Sequence, residues 1–318
     1  MRRREFLIMM AALGLGTTAW GGRRPSVSTE RESKLRRDQI VADLREEMGK
    51  GDKMAILMVH FGSAYAEARE ALGRMNREVR EAFPGVETRE AYSARSVVNR
   101  VRRQGIWIEH TTDALITLKK EGFTHVVVQP TIVIEGLEME ALRREVEQRK
   151  GLFKEIRVGD PLLYSDADYE TVIRAITGSD VNAWQGAKLL VANGTYHASN
   201  AAYAKLGYMC QLSGHPDYMI GTREGFPTLE TVIGQLRQGG YRQVTLIPFM
   251  FVLIKSKENR VATAWREGLE KAGLKVDLYA KGLGDYPAIR RLIIDHVRAA
   301  IAYRRVSVSE RKEMFSRF

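Results

Sequence analysis

The sequence predicts an α/β protein built of two similar Rossmann-like (flavodoxin-like) halves, each with a parallel sheet, and a cleft between them. Three observations lead there. Nearly continuous apolar runs end in glycine or proline and alternate with helical patterns, as parallel sheets with crossover helices require. One segment recurs at a constant offset: Leu118, Gly122-Phe123, Val126 and Pro130 match Leu236, Gly240-Tyr241, Val244 and Pro248. At 318 residues the chain is long enough for two units of ordinary size.

Arg3-Arg4-Glu5-Phe6-Leu7 followed by a weakly apolar stretch outlines a twin-arginine export signal over residues 1–22. That stretch is shorter than the roughly 20 apolar residues of a membrane span. Ala19-Trp20-Gly21 is an imperfect cleavage site, so release to the periplasm and retention as an uncleaved membrane tether both stay open. Residues 23–52 mix both charge signs and read as a tether with a short helix at 40–48. The first half, 53–162, begins with an apolar strand at 54–61, then Gly62-Ser63 and a helix over 64–83; a further strand falls at 125–134. The second half, 163–318, has strands at 188–192, 243–253 and 275–280. An amphipathic helix over 286–303 packs back on the body, and the end at 312–318 frays. Open α/β sheets bind ligands at the carboxyl ends of their strands, so two facing halves place the site between them.

Composition narrows the partners little. Hydrophobic content of 44% and charged content of 28% are ordinary for a folded protein, and a net charge of +11 attracts anions of every kind. Neither zinc-finger spacing nor an RNA-binding aromatic signature occurs, which argues against nucleic acid. The single cysteine, Cys210, excludes an intramolecular disulfide, and a fold without disulfides suits export in the folded state. No P-loop or dinucleotide fingerprint follows either first strand, so no nucleotide cofactor is expected. Oligomeric state, including a homo-oligomer, is left open.

The loop segments carry more. Phe61-Gly62-Ser63 followed by Tyr65 and Ala68 occupies the place in its half that Asn193-Gly194-Thr195 followed by His197 and Asn200 takes in the other. Together with Ala91-Tyr92-Ser93-Ala94-Arg95, Gly221-Thr222-Arg223-Glu224-Gly225-Phe226-Pro227-Thr228 and Lys281-Gly282-Leu283-Gly284, these segments resemble the anaerobic sirohydrochlorin cobaltochelatases over residues 53–301. The resemblance implies the class II chelatase fold, a tetrapyrrole held between the halves, Co²⁺ or Fe²⁺ as substrate, and neither ATP nor a nicotinamide. It further implies a histidine in a G-H-G-T loop, a glutamate before G-[YF]-P-T and a histidine in V-A-G-D-H. Here Glu224 stands at the second place, but Asn193 takes the first and Ser256, in Val252-Leu253-Ile254-Lys255-Ser256, the third. Ile132 stands where the family commonly has another histidine.

Metal insertion needs ligands for a divalent cation and bases for two pyrrole protons, work that imidazole and carboxylate do and a neutral amide or hydroxyl does not. Glu224 and His197 are therefore the candidate catalytic groups, with Glu224 and His60 as metal ligands. His60 could equally hold a haem iron or be a hydrogen-bonded strand-end histidine. Gly62, Ser63, Gly194 and Thr195 offer backbone N–H groups to a ligand carboxylate, though tight turns alone explain the glycines. Asn193 and Ser256 complete the ligand seat, and Lys255 suits a propionate or acetate side chain. Glu135 and Glu138, at the end of the first half's proline-containing strand, point toward the same cleft, though solvated loop carboxylates are the simpler reading. Two functions stay in view: metal insertion weakened by the lost histidines, and a non-catalytic exported carrier of haem or another tetrapyrrole.

Overall fold

The computed structural model describes residues 39–253 and 260–316. The twin-arginine segment, most of the expected tether, and Lys255 and Ser256 lie outside the described residues. Among those described, no helix is long and apolar enough to cross a membrane.

A short strand, β1 (Gln39–Val41), opens the described chain. The first half then runs β2 (Met54–His60), α1 (Ala66–Ala82), β3 (Glu87–Tyr92), α2 (Arg95–Arg103), β4 (Glu109–His110), α3 (Thr111–Lys120), β5 (His125–Pro130), α4 (Leu137–Glu147) and β6 (Glu155–Val158). Its five strands lie in the order β4-β3-β2-β5-β6 with parallel pairings throughout. All seven residues of β2 are buried, as expected of a central strand covered on both faces.

The second half holds α5 (Asp166–Thr177), β7 (Ala187–Gly194), α6 (Ala201–Leu212), β8 (Tyr218–Glu224), α7 (Leu229–Gln238), β9 (Gln243–Pro248), α8 (Arg260–Lys271) and β10 (Lys275–Leu278). Its sheet order, β10-β9-β7-β8, repeats that of the first without the extra edge strand. In the first half β2 lies between β3 and β5, and in the second β7 lies between β8 and β9, so the strand order reverses beside β2 and β7 and leaves a crevice at their carboxyl ends.

The duplication is visible in backbone chemistry. Helices α3 and α7 both stop at a glycine of positive φ, +85° at Gly122 and +70° at Gly240. The following aromatic N–H turns back to the helix, from Phe123 to the Leu118 carbonyl at 3.1 Å and from Tyr241 to Leu236 at 3.0 Å. Each corner thereby satisfies carbonyls that a helix end would leave bare, and each delivers the chain to its third strand.

Three elements complete the fold: α9 (Pro287–Ala302), β11 (Tyr303–Arg305) and α10 (Val308–Ser316). One apolar cluster joins Ile56, Met58 and Val127 of the first sheet, Leu190 and Ile247 of the second, and Ile289, Leu292, Ile293, Val297 and Ile301 of α9. Helix α9 also reaches α1 through Arg290, whose Nε donates to Glu78 Oε1 at 2.8 Å.

Several elements differ from expectation. Residues 39–41 form no helix but pair antiparallel with β11, Ile40 opposite Arg304. Arg157 fixes the segment that follows, donating to the carbonyls of Ala42 at 2.6 Å and Ile301 at 2.9 Å, so tertiary contacts override the local helical pattern. The chain end is helical through Ser316, tied by Arg304 to Glu310 at 2.7 Å. Strands β3, β6 and β8 carry Glu87, Arg89, Glu90, Glu155, Arg157 and Arg223, which break up the apolar runs by which the other strands are read.

Candidate functional site in the cleft between the halves

Each half offers its strand-to-helix loops at the carboxyl edge of its sheet. Gly194 ends β7 in register with Glu224 of β8. Its φ is +70°, and a Cβ there would lie 1.9 Å from the Glu224 carbonyl oxygen. Only glycine lets the two strand ends close together, and the closure sets half-exposed Glu224 opposite Gly194, one residue beyond exposed Asn193. Asn200 then laces the two loops. Its Oδ1 accepts from the Thr195 N–H at 2.9 Å, and its Nδ2 donates to the Phe226 carbonyl at 2.6 Å. Glu224 accepts from Arg223 Nη2 at 2.9 Å.

His197 caps the short turn before α6. Its Nδ1 accepts from the Ser199 N–H at 3.2 Å, which leaves the ring proton on Nε2, 3.1 Å from Glu140 Oε1 on α4 of the other half. The two halves touch at the same place, because a Cβ on Gly136 would lie 2.7 Å from Ser199 Oγ. On the other side of the cleft, Val252, in the loop after β9, packs against the cluster holding Leu72 and Tyr92 of the first half.

His60 does not reach the cleft. It is 1% exposed, with Nδ1 2.8 Å from Thr131 Oγ1 and Nε2 2.9 Å from Asn76 Oδ1. Both ring nitrogens are occupied, so neither can bind a metal or a haem iron while these bonds last. Burial pushes its pKa down to about 4. The unfolded chain therefore binds more protons between pH 4 and 6.5, so this residue's contribution is full above that window and is lost on acidification. Going from pH 7 to pH 4.5 is expected to remove about 2–3 kcal/mol through His60 alone. Urea unfolding of wild type and His60→Gln at both pH values checks this, and an equal acid sensitivity in the two proteins would refute it.

Gly62 and Ser63 serve the turn after β2. Gly62 has a φ of +94°, and a Cβ there would lie 2.3 Å from the Tyr92 ring; Ser63 is buried, and its Oγ accepts from the Tyr65 N–H at 3.2 Å.

Glu135 and Glu138 are not the solvated pair that the sequence suggests. Glu135 is held by Arg143 at 2.7 and 3.0 Å. Glu138, in the first turn of α4, is open at the surface, yet desolvation raises its pKa, the mark of a carboxyl on the wall of a concavity. Its charge also acts on Tyr203 of α6, across the boundary between the halves.

The apolar lining stands out more than the ligands do. Phe61 is 53% exposed, Leu137 56%, Tyr196 86% and Phe226 57%. Phe61, Tyr196 and Phe226 lie in the connections β2–α1, β7–α6 and β8–α7 and Leu137 opens α4, so all four sit past the carboxyl ends of the strands beside the crevice, while Trp107, Tyr208 and Leu212 are exposed elsewhere. Among the described residues no three His, Cys, Asp or Glu side chains are grouped to hold a metal ion.

Comparison with known proteins agrees with this architecture. Over 256 residues the chain is 30% identical to the sirohydrochlorin cobaltochelatase of Salmonella typhimurium, covering 78% of this chain and 97% of that one. It is 31% identical over 261 residues to sirohydrochlorin cobaltochelatase CbiKC of Nitratidesulfovibrio vulgaris, covering 79% and 91%. In fold it matches SirB from Bacillus subtilis with Fe³⁺, at a TM-score of 0.60 and 14% identity over 79% of this chain and 96% of that one. The fold is that of the class II chelatases. With residues 54–302 matching the model of the cobalt chelatase (CbiK) family, the chain belongs to that family.

Proposed function

We propose that the protein binds a sirohydrochlorin-type tetrapyrrole between its halves and inserts Co²⁺ or Fe²⁺ slowly. The observation that carries this reading is the set of four exposed apolar side chains, three on loops and Leu137 at the start of α4, past the carboxyl ends of the strands of both sheets. A flat macrocycle covers such a lining, while its carboxylate side chains meet a chain of net charge +11.

Insertion releases two protons from pyrrole nitrogens as the metal enters. Glu138, its pKa raised by desolvation, is a stronger base than an ordinary carboxylate and can take one of them, and the other passes to solvent water. Glu224 supplies a carboxylate oxygen to the incoming cation. Asn193 offers an amide, which neither ligates strongly nor accepts a proton near neutral pH. The loss of that imidazole is the reason to expect slow turnover.

The test is anaerobic mixing of the protein with sirohydrochlorin and Co²⁺, followed by absorbance. Wild type is expected to bind the macrocycle and turn over slowly, and Asn193→His to turn over at least about tenfold faster. Rapid wild-type turnover that the histidine does not improve would overturn the weakened-insertion reading, and failure to bind the tetrapyrrole would overturn the whole.

A second reading, an exported tetrapyrrole carrier in the periplasm, is favoured by the twin-arginine pattern at Arg3-Arg4 together with the replaced histidines. Haem titration separates the two. A tight complex with a shifted Soret band, unaccompanied by metal insertion, supports the carrier; a haem spectrum unaltered by the protein counts against it.

A further inference from the structure

A cavity of about 310 Å³ lies at the outer edge of the first sheet, between β6, the end of α4, and the α9–β11 junction. None of the groups assigned to the cleft lines it. Strand β6 pairs only with β5, so the cavity occupies the open side of an edge strand. Five arginine or lysine side chains against three carboxylates line it.

Three buried polar atoms among the lining residues have no hydrogen-bond partner: Arg305 Nε, His296 Nδ1 and Gln39 Oε1. Gln39 is 7% exposed and His296 4%. A buried donor or acceptor left unpaired costs about 1–3 kcal/mol, so native proteins rarely keep three of them around one space without something to satisfy them. The rest of each side chain is held in place. Arg305 is paired with Asp160 and stacks over Tyr164 at 4.5 Å, His296 Nε2 lies 3.2 Å from Asp168 Oδ1, and the backbone of Gln39 is paired with Arg305 in the terminal ribbon. The free atoms are therefore presented rather than floppy. Arg305 Nε–H can only donate, the imidazole, its Nε2–H engaged by the Asp168 carboxylate, donates from Nδ1 in the doubly protonated form that Asp168 favours, and the Gln39 amide can serve either way once its two ends are allowed to exchange.

We propose that this cavity binds a small oxyanion, a phosphate or a carboxylate, between Arg305, His296 and Gln39. The proposal is independent of what occupies the cleft.

Thermal unfolding of the full-length protein tests it, with inorganic phosphate and malate as probes and chloride at matched ionic strength as the control. One probe is expected to raise the midpoint by about 3–8 °C at a hundredfold excess over its Kd, and which one does so identifies the anion class. Gln39→Leu removes a buried unpaired amide, so it is expected to fold at least as well as wild type and to lose most of the shift. Arg305→Lys keeps a cation against Asp160 but deletes the Nε–H, and is expected to weaken the anion at least tenfold. The proposal is overturned if neither probe exceeds chloride, or if the shift persists in both variants.

Discussion

Gly194→Ala is expected to destabilise the protein by about 3 kcal/mol or more and to abolish macrocycle binding. Two costs combine. A φ of +70° is the left-handed region, which costs a residue with a Cβ roughly 1–2 kcal/mol. The new methyl would also sit 1.9 Å from the Glu224 carbonyl and 2.7 Å from Thr222 Cβ. The first of these is backbone and cannot swing aside, so β7 and β8 must part at the very point where Gly194 and Glu224 are paired at the mouth of the crevice. Gly62→Ala makes the instructive comparison, because its obstacle is the Tyr92 ring, a side chain. Urea unfolding together with tetrapyrrole fluorescence titration measures both effects. A Gly194→Ala protein within 1 kcal/mol of wild type that still binds would contradict this account.

Removing residues 287–318 is expected to leave a chain with no cooperative unfolding transition. Five of the six buried apolar residues that α9 adds to the shared cluster, Ile289, Leu292, Ile293, Val297 and Ile301, are each 0–3% exposed. At about 1.5–3 kcal/mol apiece their burial rivals the whole net stability of a domain, roughly 5–15 kcal/mol. They also cover Ile56 and Met58 on the first sheet, so the loss falls on the half farther away in sequence. Ile293→Ala gives a graded version, with an expected cost of about 2–5 kcal/mol. Circular dichroism through a urea series checks both, and a sharp transition in the truncated chain would show that the halves fold without this helix.

The fold class was legible because its signals are local. Central strands such as 54–60 are apolar without interruption, and the paired glycine-aromatic corners at Gly122 and Gly240 announce the duplication by identity alone. Strands β3, β6 and β8 were hidden by their charges, and β1 by its dependence on a partner more than 250 residues away. The candidate site divided along the same line. The neighbourhood of Asn193, Gly194 and Glu224 follows from motif spacing and is realised as a strand register. Whether a side chain at a strand end faces the cleft or the core does not follow from its type. His60 turned inward to Thr131 and Asn76, whereas Glu138, at the start of α4, is raised by desolvation. Asn200, which laces two loops, looked like any helix-start asparagine.

The ring of Phe61, Leu137, Tyr196 and Phe226 bears on how the protein behaves in solution when it carries nothing. Rings and an isobutyl group bared to water around one opening form an adhesive rim, and two empty molecules can shield each other by meeting rim to rim. Self-association should then strengthen with concentration and salt, dissolve when cargo is supplied, and disappear when Tyr196 and Phe226 are replaced by serine. The unladen protein would in that way be its own stopper.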